Sequence, residues 1–387
     1  MRDLRPDFPA LTGGLAHFDG PGGTQVPAVV ADAVAQAYRS AVSNRHGGFA
    51  SSDRADAIVE DARLAAADLL GADPRGAVLG QSMTSNTFVL AGALAKTWQP
   101  GDEVVVSRLD HDANIRPWVL AAERVGAVVR WAEPDAATDL HPETYDALLN
   151  DRTRLVAVTA ASNATGSRPD VRAIADRAHA VGALVHVDGV HATAHLPTTV
   201  ADLGADLYAC SAYKWYGPHL GITVADPALL ETLHPDKLLP SSDEVPDRFE
   251  LGTSQFAQHV AVTAAVDWIA SLGSGPTRRA RLLDAMSSLA VQEEQVLGHL
   301  LAGLRDRPDV TLVGDPARRT PTVAFLKDGE LPARTAERLA GQGIAVWAGH
   351  YYAIELMQLL GLPDGAVRAG IAAYTTTDDV DRLLSAL

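Results

Sequence analysis

The chain has 387 residues, with 32 Lys and Arg against 48 Asp and Glu, a formal net charge of −16 and a single cysteine, Cys210. With 47% hydrophobic and 21% charged residues it has the composition of a soluble globular protein long enough for two or three domains. So acidic a chain repels phosphate backbones and anionic lipid, which argues against nucleic acid and membrane partners and for a small molecule, and a lone cysteine leaves no internal disulfide or cysteine-built metal site and points to a reducing, cytoplasmic compartment.

The first residues carry Asp3, Pro6, Asp7 and Pro9 where a signal peptide needs an apolar run, and no stretch reaches the roughly 18 apolar residues of a membrane span. After this irregular arm, helices are expected over Pro27–Ser43 and Arg54–Leu70, where Ile58, Ala62, Ala65 and Leu69 recur at helical spacing. From Gly76 the pattern alternates. Short runs at Ala77–Leu79, Glu103–Ser107, Ala127–Trp131, Leu155–Thr159, Leu184–Val187, Leu207–Cys210 and Gly221–Val224 are separated mostly by helical stretches such as Thr84–Lys96, Asn114–Val125 and Val171–Val181. Runs apolar on both faces and joined by helices predict a mainly parallel sheet covered on both sides, an α/β layered domain. Beyond Gly252 one long helical region, Val260–Arg305, leads to strands at Val310–Val313 and Thr322–Leu326, a helix at Ala333–Gly341 and a terminal helix from Thr377, a pattern that predicts a smaller C-terminal domain.

In open α/β sheets ligands gather beyond the carboxyl ends of the strands, so polar residues just after the apolar runs are the candidates. The run ending at Val187 delivers Asp188 and Gly189 to that rim, where a carboxylate either caps the next turn or needs a cation. Lys214 follows the next run among Tyr213, Trp215 and Tyr216, which makes it either a desolvated, nucleophilic amine or a surface lysine lying across rings. Ser82, Met83 and Thr84 stand between a strand and a helix start, where amides and hydroxyls suit an anion, and His111 occupies a similar turn. His186, Asp188, His191 and His195 are close in sequence but lack a His-Glu-x-x-His spacing, so no metal is expected.

Together these segments resemble the class V aminotransferase family of fold-type I enzymes, and within it the cysteine desulfurase group. The resemblance rests on Phe18–Gly23, Asp110–Asn114, Ser162-Asn163-Ala164-Thr165-Gly166, Asp188-Gly189, Ser211–Lys214, Arg248–Thr253, Gly343–Gly349 and Arg368, in order over nearly the whole chain. It implies a seven-stranded, mainly parallel sheet in a large pyridoxal-phosphate-binding domain over 21–260, a small α+β domain over 261–387, and an arm over 1–20 joining the latter. It also implies roles. Lys214 would bind pyridoxal phosphate covalently and shuttle protons, Asp188 would pair with the ring nitrogen, His111 would stack on the ring, and His191 stands where a glutamine usually meets the ring oxygen. The phosphate would rest on Ser82, Met83, Thr84, Ser211 and Tyr213, completed by Gly252 and Thr253 of a second copy in a homodimer with shared active sites. Arg368 would grip the carboxylate of a small amino-acid substrate, assisted by Asn163, with Arg45 and His46 matching a further active-site segment.

Desulfurases of this group carry a catalytic cysteine on a loop, and here Tyr352 stands in its place, with Trp347 where a basic residue is common. A phenol accepts no sulfane sulfur, and Cys210 lies in an expected buried strand, where a thiol is inert. The resemblance thus implies chemistry beginning with α-proton removal: β-elimination with C–S cleavage first, then transamination or epimerisation, with Tyr351 and Tyr352 as acid groups or as lining. A catalytically silent binding relative is disfavoured because Lys214, Asp188, His111 and Arg368 are all present.

Overall fold

The computed structural model describes residues 2–387 and none of their helices is long and apolar enough to cross a membrane. The arm leads through β1 (Ala16–His17) to α1 (Ala28–Arg39) and α2 (Ala50–Leu70), which ends on left-handed Gly71. The alternating region then runs β2 (Ala77–Gly80), α3 (Met83–Ala95), β3 (Glu103–Ser107), α4 (Arg116–Val125), β4 (Val128–Ala132), β5 (Thr153–Thr159), α5 (Val171–Ala180) and β6 (Leu184–Asp188). Two short helices, α6 (Ala192–His195) and α7 (Val200–Leu203), precede β7 (Leu207–Ser211), β8 (Gly221–Ala225) and α8 (Pro227–Glu231).

These strands form one seven-stranded sheet in the order β2-β8-β7-β6-β5-β3-β4. Only β8 runs against its neighbours, so the sheet is mainly parallel, as the apolar runs predict. Alternate residues of each strand enter separate cores. Val104, Val106, Leu155 and Ala157 pack under α3 and α4, whereas Val105, Val156, Val158, Val185 and Val187 pack under α2 and α5. Burial on both faces is why these strands read as continuous hydrophobic runs rather than as alternations. The shared direction of the parallel strands brings the carboxyl ends of β2, β3, β5, β6 and β7 to one edge, and the glycine at 221 lets β8 pass there: a Cβ on it would lie 2.1 Å from the Met83 amide.

The expected helical region Val260–Arg305 is two helices, α9 (Phe256–Ser271) and α10 (Arg278–Arg305). The chain turns between them because Gly273 passes so close to α10 that a Cβ would lie 2.2 Å from the Arg281 carbonyl oxygen, and Thr277 caps the new helix by accepting from the Ala280 amide at 3.1 Å. Through Val262, Val266 and Ile269, α9 packs into the core of the large sheet, as do Leu282 and Leu289 of α10, whereas Val296, Leu300 and Leu304 of the same helix enter the C-terminal core. The expected division after residue 260 therefore cuts through α9, and the cores change hands within α10. The arm is divided too. Leu4, Phe8 and Leu11 pack in the large core, and only Ala16 and Phe18 reach the small one.

The C-terminal part continues with β9 (Val310–Val313), β10 (Thr322–Lys327), α11 (Pro332–Ala340), β11 (Ile344–Ala345), β12 (Trp347–Gly349), α12 (Ile354–Leu359), β13 (Ala366–Gly370) and α13 (Thr377–Ala386). Its sheet is antiparallel in the order β12-β13-β10-β9, and β1 of the arm pairs with β11. One end of this sheet faces the carboxyl edge of the large one, and a cavity of about 780 Å³ lies between them.

Candidate active site

Lys214 sits one turn beyond β7, buried in the cavity wall, where its amine donates to the Pro21 carbonyl and lies 4.9 Å from the centre of the Tyr213 ring. Burial, aided by the Arg368 charge and opposed by Asp188, brings its pKa down to about 7. A neutral amine at neutral pH is a nucleophile toward carbonyl carbon. Asp188 ends β6 and accepts from the Val190 amide at 2.8 Å, yet burial raises its carboxyl to about 6 despite that bond and the Lys214 charge. Such a carboxylate lacks a cation close enough to offset its burial.

His111 accepts the Ala113 amide on Nδ1 at 3.0 Å, and burial, with the Lys214 and Arg368 charges, holds its pKa near 4, so the ring is neutral. Tyr352 stacks on it at 5.3 Å with an interplanar angle of 28°, although that tyrosine is 66% exposed. His191 is buried beside the cavity and meets the Thr322 hydroxyl through Nε2 at 3.0 Å. At the start of α3, Ser82 and Ser85 exchange side-chain and backbone hydrogen bonds, a box that fixes the helix end and leaves the Met83 and Thr84 amides without partners among the described residues. Ser211 and Tyr213 line the same wall, Tyr213 stacked on His219 at 4.9 Å.

From the other side, β13 supplies Arg368, buried without a carboxylate partner among the described residues. It donates to the Asn163 carbonyl at 2.8 Å, lies 4.2 Å from the centre of the Tyr351 ring, and keeps Nε unpaired. Burial pulls its pKa down to about 10. The Asn163 amide donates to the Tyr351 carbonyl at 2.8 Å, and its buried Oδ1 has no partner. An uncompensated guanidinium with a free donor edge is built for an anion, and a carboxylate matches its fork.

Of the residues singled out from the sequence, Lys214, Asp188, His111, His191, Ser82, Met83, Thr84, Ser211, Tyr213, Asn163, Tyr352 and Arg368 share this cavity. Four do not. Arg45 is held by Asp56 at 3.0 Å and Asp247 at 2.6 Å, His46 is exposed beside it, and Gly252 and Thr253 lie exposed on the surface. His186 bonds to Asn114 at 2.7 Å and His195 to Glu293 at 2.9 Å, each away from the pocket lining. Cys210 is fully buried in β7, its thiol pushed up to about 12. Thr322 was missed, since nothing in its local sequence separates it from any β-branched strand residue.

The Aminotransferase class-V family matches residues 16–383. The chain belongs to the aminotransferase class-V family. It is 37% identical over 390 residues to the uncharacterized protein MT3887 of Mycobacterium tuberculosis, covering 99% of this chain and 97% of that one. A probable cysteine desulfurase of Mycolicibacterium paratuberculosis is 33% identical over 99% of this chain, which spans 57% of that longer protein. Among solved structures, the cysteine desulfurase CsdA of Escherichia coli superposes with a TM-score of 0.85 at 30% identity, covering 99% of this chain and 96% of that one. As a class-V family member the chain is a pyridoxal-phosphate-dependent enzyme. Its cavity fits that cofactor: a carboxyl in need of a cation, a neutral imidazole, an available amine and unpartnered helix amides face one space.

The amine carries a test. If Lys214 titrates near 7, uptake of pyridoxal phosphate by cofactor-free enzyme, followed by absorbance, is expected to accelerate about tenfold from pH 6 to pH 8 and then level off. An ordinary lysine would instead give about a hundredfold rise over that interval with no plateau.

Proposed function

We propose that this cysteine-desulfurase-like enzyme acts on a small α-amino acid and cleaves its C–S bond by β-elimination, with no sulfur held on the protein. One observation carries the reading: Lys214 and Arg368 face the same cavity, while the chain's only thiol is sealed inside β7. Pyridoxal phosphate, when bound, supplies an electron-accepting ring that stabilises negative charge at the substrate's α-carbon.

The chain's residues hold and orient the reactants. Asp188 would pair with the ring nitrogen and favour its protonated form, neutral His111 would lie against the ring, and His191 would meet its oxygen. The amides of Met83 and Thr84, at the positive end of α3, take the phosphate with the hydroxyls of Ser82, Ser211 and Tyr213. Arg368 and Asn163 fix the substrate carboxylate, which holds the α-hydrogen near Lys214. The Lys214 Nζ would hold the cofactor and is the group placed to accept that proton. Loss of the β-sulfur and hydrolysis of the remainder balance as cysteine plus water giving pyruvate, ammonium, hydrosulfide and one proton, without oxidant or reductant.

Gly252, Thr253, Arg45 and His46, exposed or turned from their own cavity, serve the site of a second copy in a homodimer. The unpaired, reduced Cys210 suits a cytoplasmic setting. With cysteine as substrate, the enzyme is expected to release sulfide and pyruvate in equal amounts, and Cys210→Ala is expected to do so within about twofold of the wild-type rate, as a buried thiol is inert. Loss of sulfide release in Cys210→Ala that remains folded, or accumulation of the amine form of the cofactor without sulfide, overturns the reading.

A further inference from the structure

The pocket wall contains one contact that joins the two sheets through a titratable ring. Thr322 opens β10 of the small sheet, opposite Gly370 of β13, and is fully buried. Its hydroxyl lies 3.0 Å from Nε2 of His191, a residue 131 positions earlier on the large domain's side of the cavity. This is the one side-chain hydrogen bond made by either group among the described residues.

A hydroxyl carries one proton, and a neutral imidazole carries one proton shared between two possible sites. If His191 donated from Nε2, the buried Thr322 proton would have no acceptor and Nδ1 would present a lone pair to the cavity. If Thr322 donates, both groups are satisfied: Nε2 accepts, and Nδ1 carries the hydrogen toward the bound group. The ring has no second proton to blur this choice, because burial and the neighbouring His195, Lys214 and Arg368 hold its pKa well below the usual histidine value. His195 packs against the His191 ring edge to face at 4.8 Å, and its own Nδ1 is engaged by Glu293 at 2.9 Å, so it backs the ring without competing for the proton.

We infer that Thr322 is a positioning residue that holds His191 in the tautomer protonated on Nδ1, so that the ring offers an N–H donor to an anionic oxygen of the group bound in the cavity. The identity of that group rests on the function proposed above; the tautomer does not. Because Thr322 and Arg368 lie on adjacent strands of one small sheet, the domain that grips the substrate also sets the polarity of a cofactor contact on the other domain.

The test uses the full chain labelled with 15N-histidine, with the His191 signal assigned by its loss in His191→Gln. Before cofactor is added, two-bond proton–nitrogen spectra are expected to show His191 protonated on Nδ1 and bare on Nε2. Thr322→Val, which keeps the shape and removes the hydroxyl, is expected to lose that preference and to weaken pyridoxal phosphate binding about tenfold, and Thr322→Ser is expected to restore both. A wild-type ring protonated on Nε2, or a Thr322→Val ring unchanged in tautomer, overturns the inference. If the valine variant does not fold, the wild-type and serine spectra still decide it. Failure of the wild-type protein to take up pyridoxal phosphate would instead overturn the cofactor roles and leave the tautomer standing.

Discussion

Lys214→Ala is expected to give a folded protein that stays colourless with pyridoxal phosphate, shows no linkage trappable by borohydride, and turns over amino acids at least about 10⁴-fold more slowly than wild type. The size follows from the two jobs given to one atom. In the proposed mechanism the Lys214 amine both binds the cofactor and moves the α-proton, and groups that act as a unit lose most of the catalytic effect when one is removed. Stability should move the other way. In the cofactor-free protein this amine is buried without a carboxylate within ion-pair range among the described residues, and burial has already drawn its pKa from 10.5 to about 7. Removing a group whose charged form is penalised by folding leaves the melting temperature of cofactor-free protein unchanged or higher. A variant that still turns yellow, with borohydride fixing the cofactor to another lysine, would show that the amine is not the attachment point.

Arg368→Lys is expected to raise KM for the amino acid by about 10²- to 10³-fold, with a smaller fall in kcat, and not to behave as a conservative change. The guanidinium is planar and already spends one edge on the Asn163 carbonyl, with its plane over Tyr351. The unpaired Nε lies on the remaining donor edge, which matches two carboxylate oxygens at once. An ammonium keeps the charge but has neither the fork nor the flat face. Because no acidic side chain pairs with Arg368 among the described residues, its substitution breaks no ion pair within the chain. Initial rates together with the spectral change on amino-acid binding to loaded enzyme separate lost affinity from slower chemistry. A lysine variant with wild-type KM would remove Arg368 from the carboxylate site.

The same logic explains how far the sequence could be read. The large sheet was legible because β3, β5, β6 and β7 bury both faces, and a strand buried on both faces writes its burial directly into an apolar run. The edge strand β4 was legible too, but two of its five residues are exposed and only one is buried, so its ends are less sharply marked. The long helical region misled because the residues between α9 and α10 interrupt the periodicity only briefly, and the reason for the turn is the approach of Gly273 to Arg281, a contact no local pattern contains. The passage from one core to the other is hidden in the sequence for a related reason: α10 is one continuous helix whose two halves enter different cores, so no change in composition marks it.

The site divides along similar lines. Asp188 and Lys214 announced themselves by standing at the carboxyl ends of buried strands, where the fold makes polar residues conspicuous. Tyr352 was read as the occupant of a loop position, yet only the folded chain shows it stacked on His111, with its carbonyl accepting from the Asp112 amide at 2.8 Å. Arg45 was read with the active-site residues, and the folded chain turns it into an ion pair with Asp56 and Asp247.

What the sequence determined by itself was the layered α/β architecture, the rim on which ligands gather and the residue types delivered there, because burial of strands and the ends of short runs are local properties of the chain. What only the tertiary structure decided was the electrostatic state of those residues. The raised carboxyl of Asp188 depends on desolvation, and the lowered amine of Lys214, the unpartnered edge of Arg368 and the hydroxyl that Thr322 presents to His191 depend also on partners more than 100 residues away. Folding alone brings such partners together, and it is their distance and burial, not their identity, that set the chemistry of the cavity.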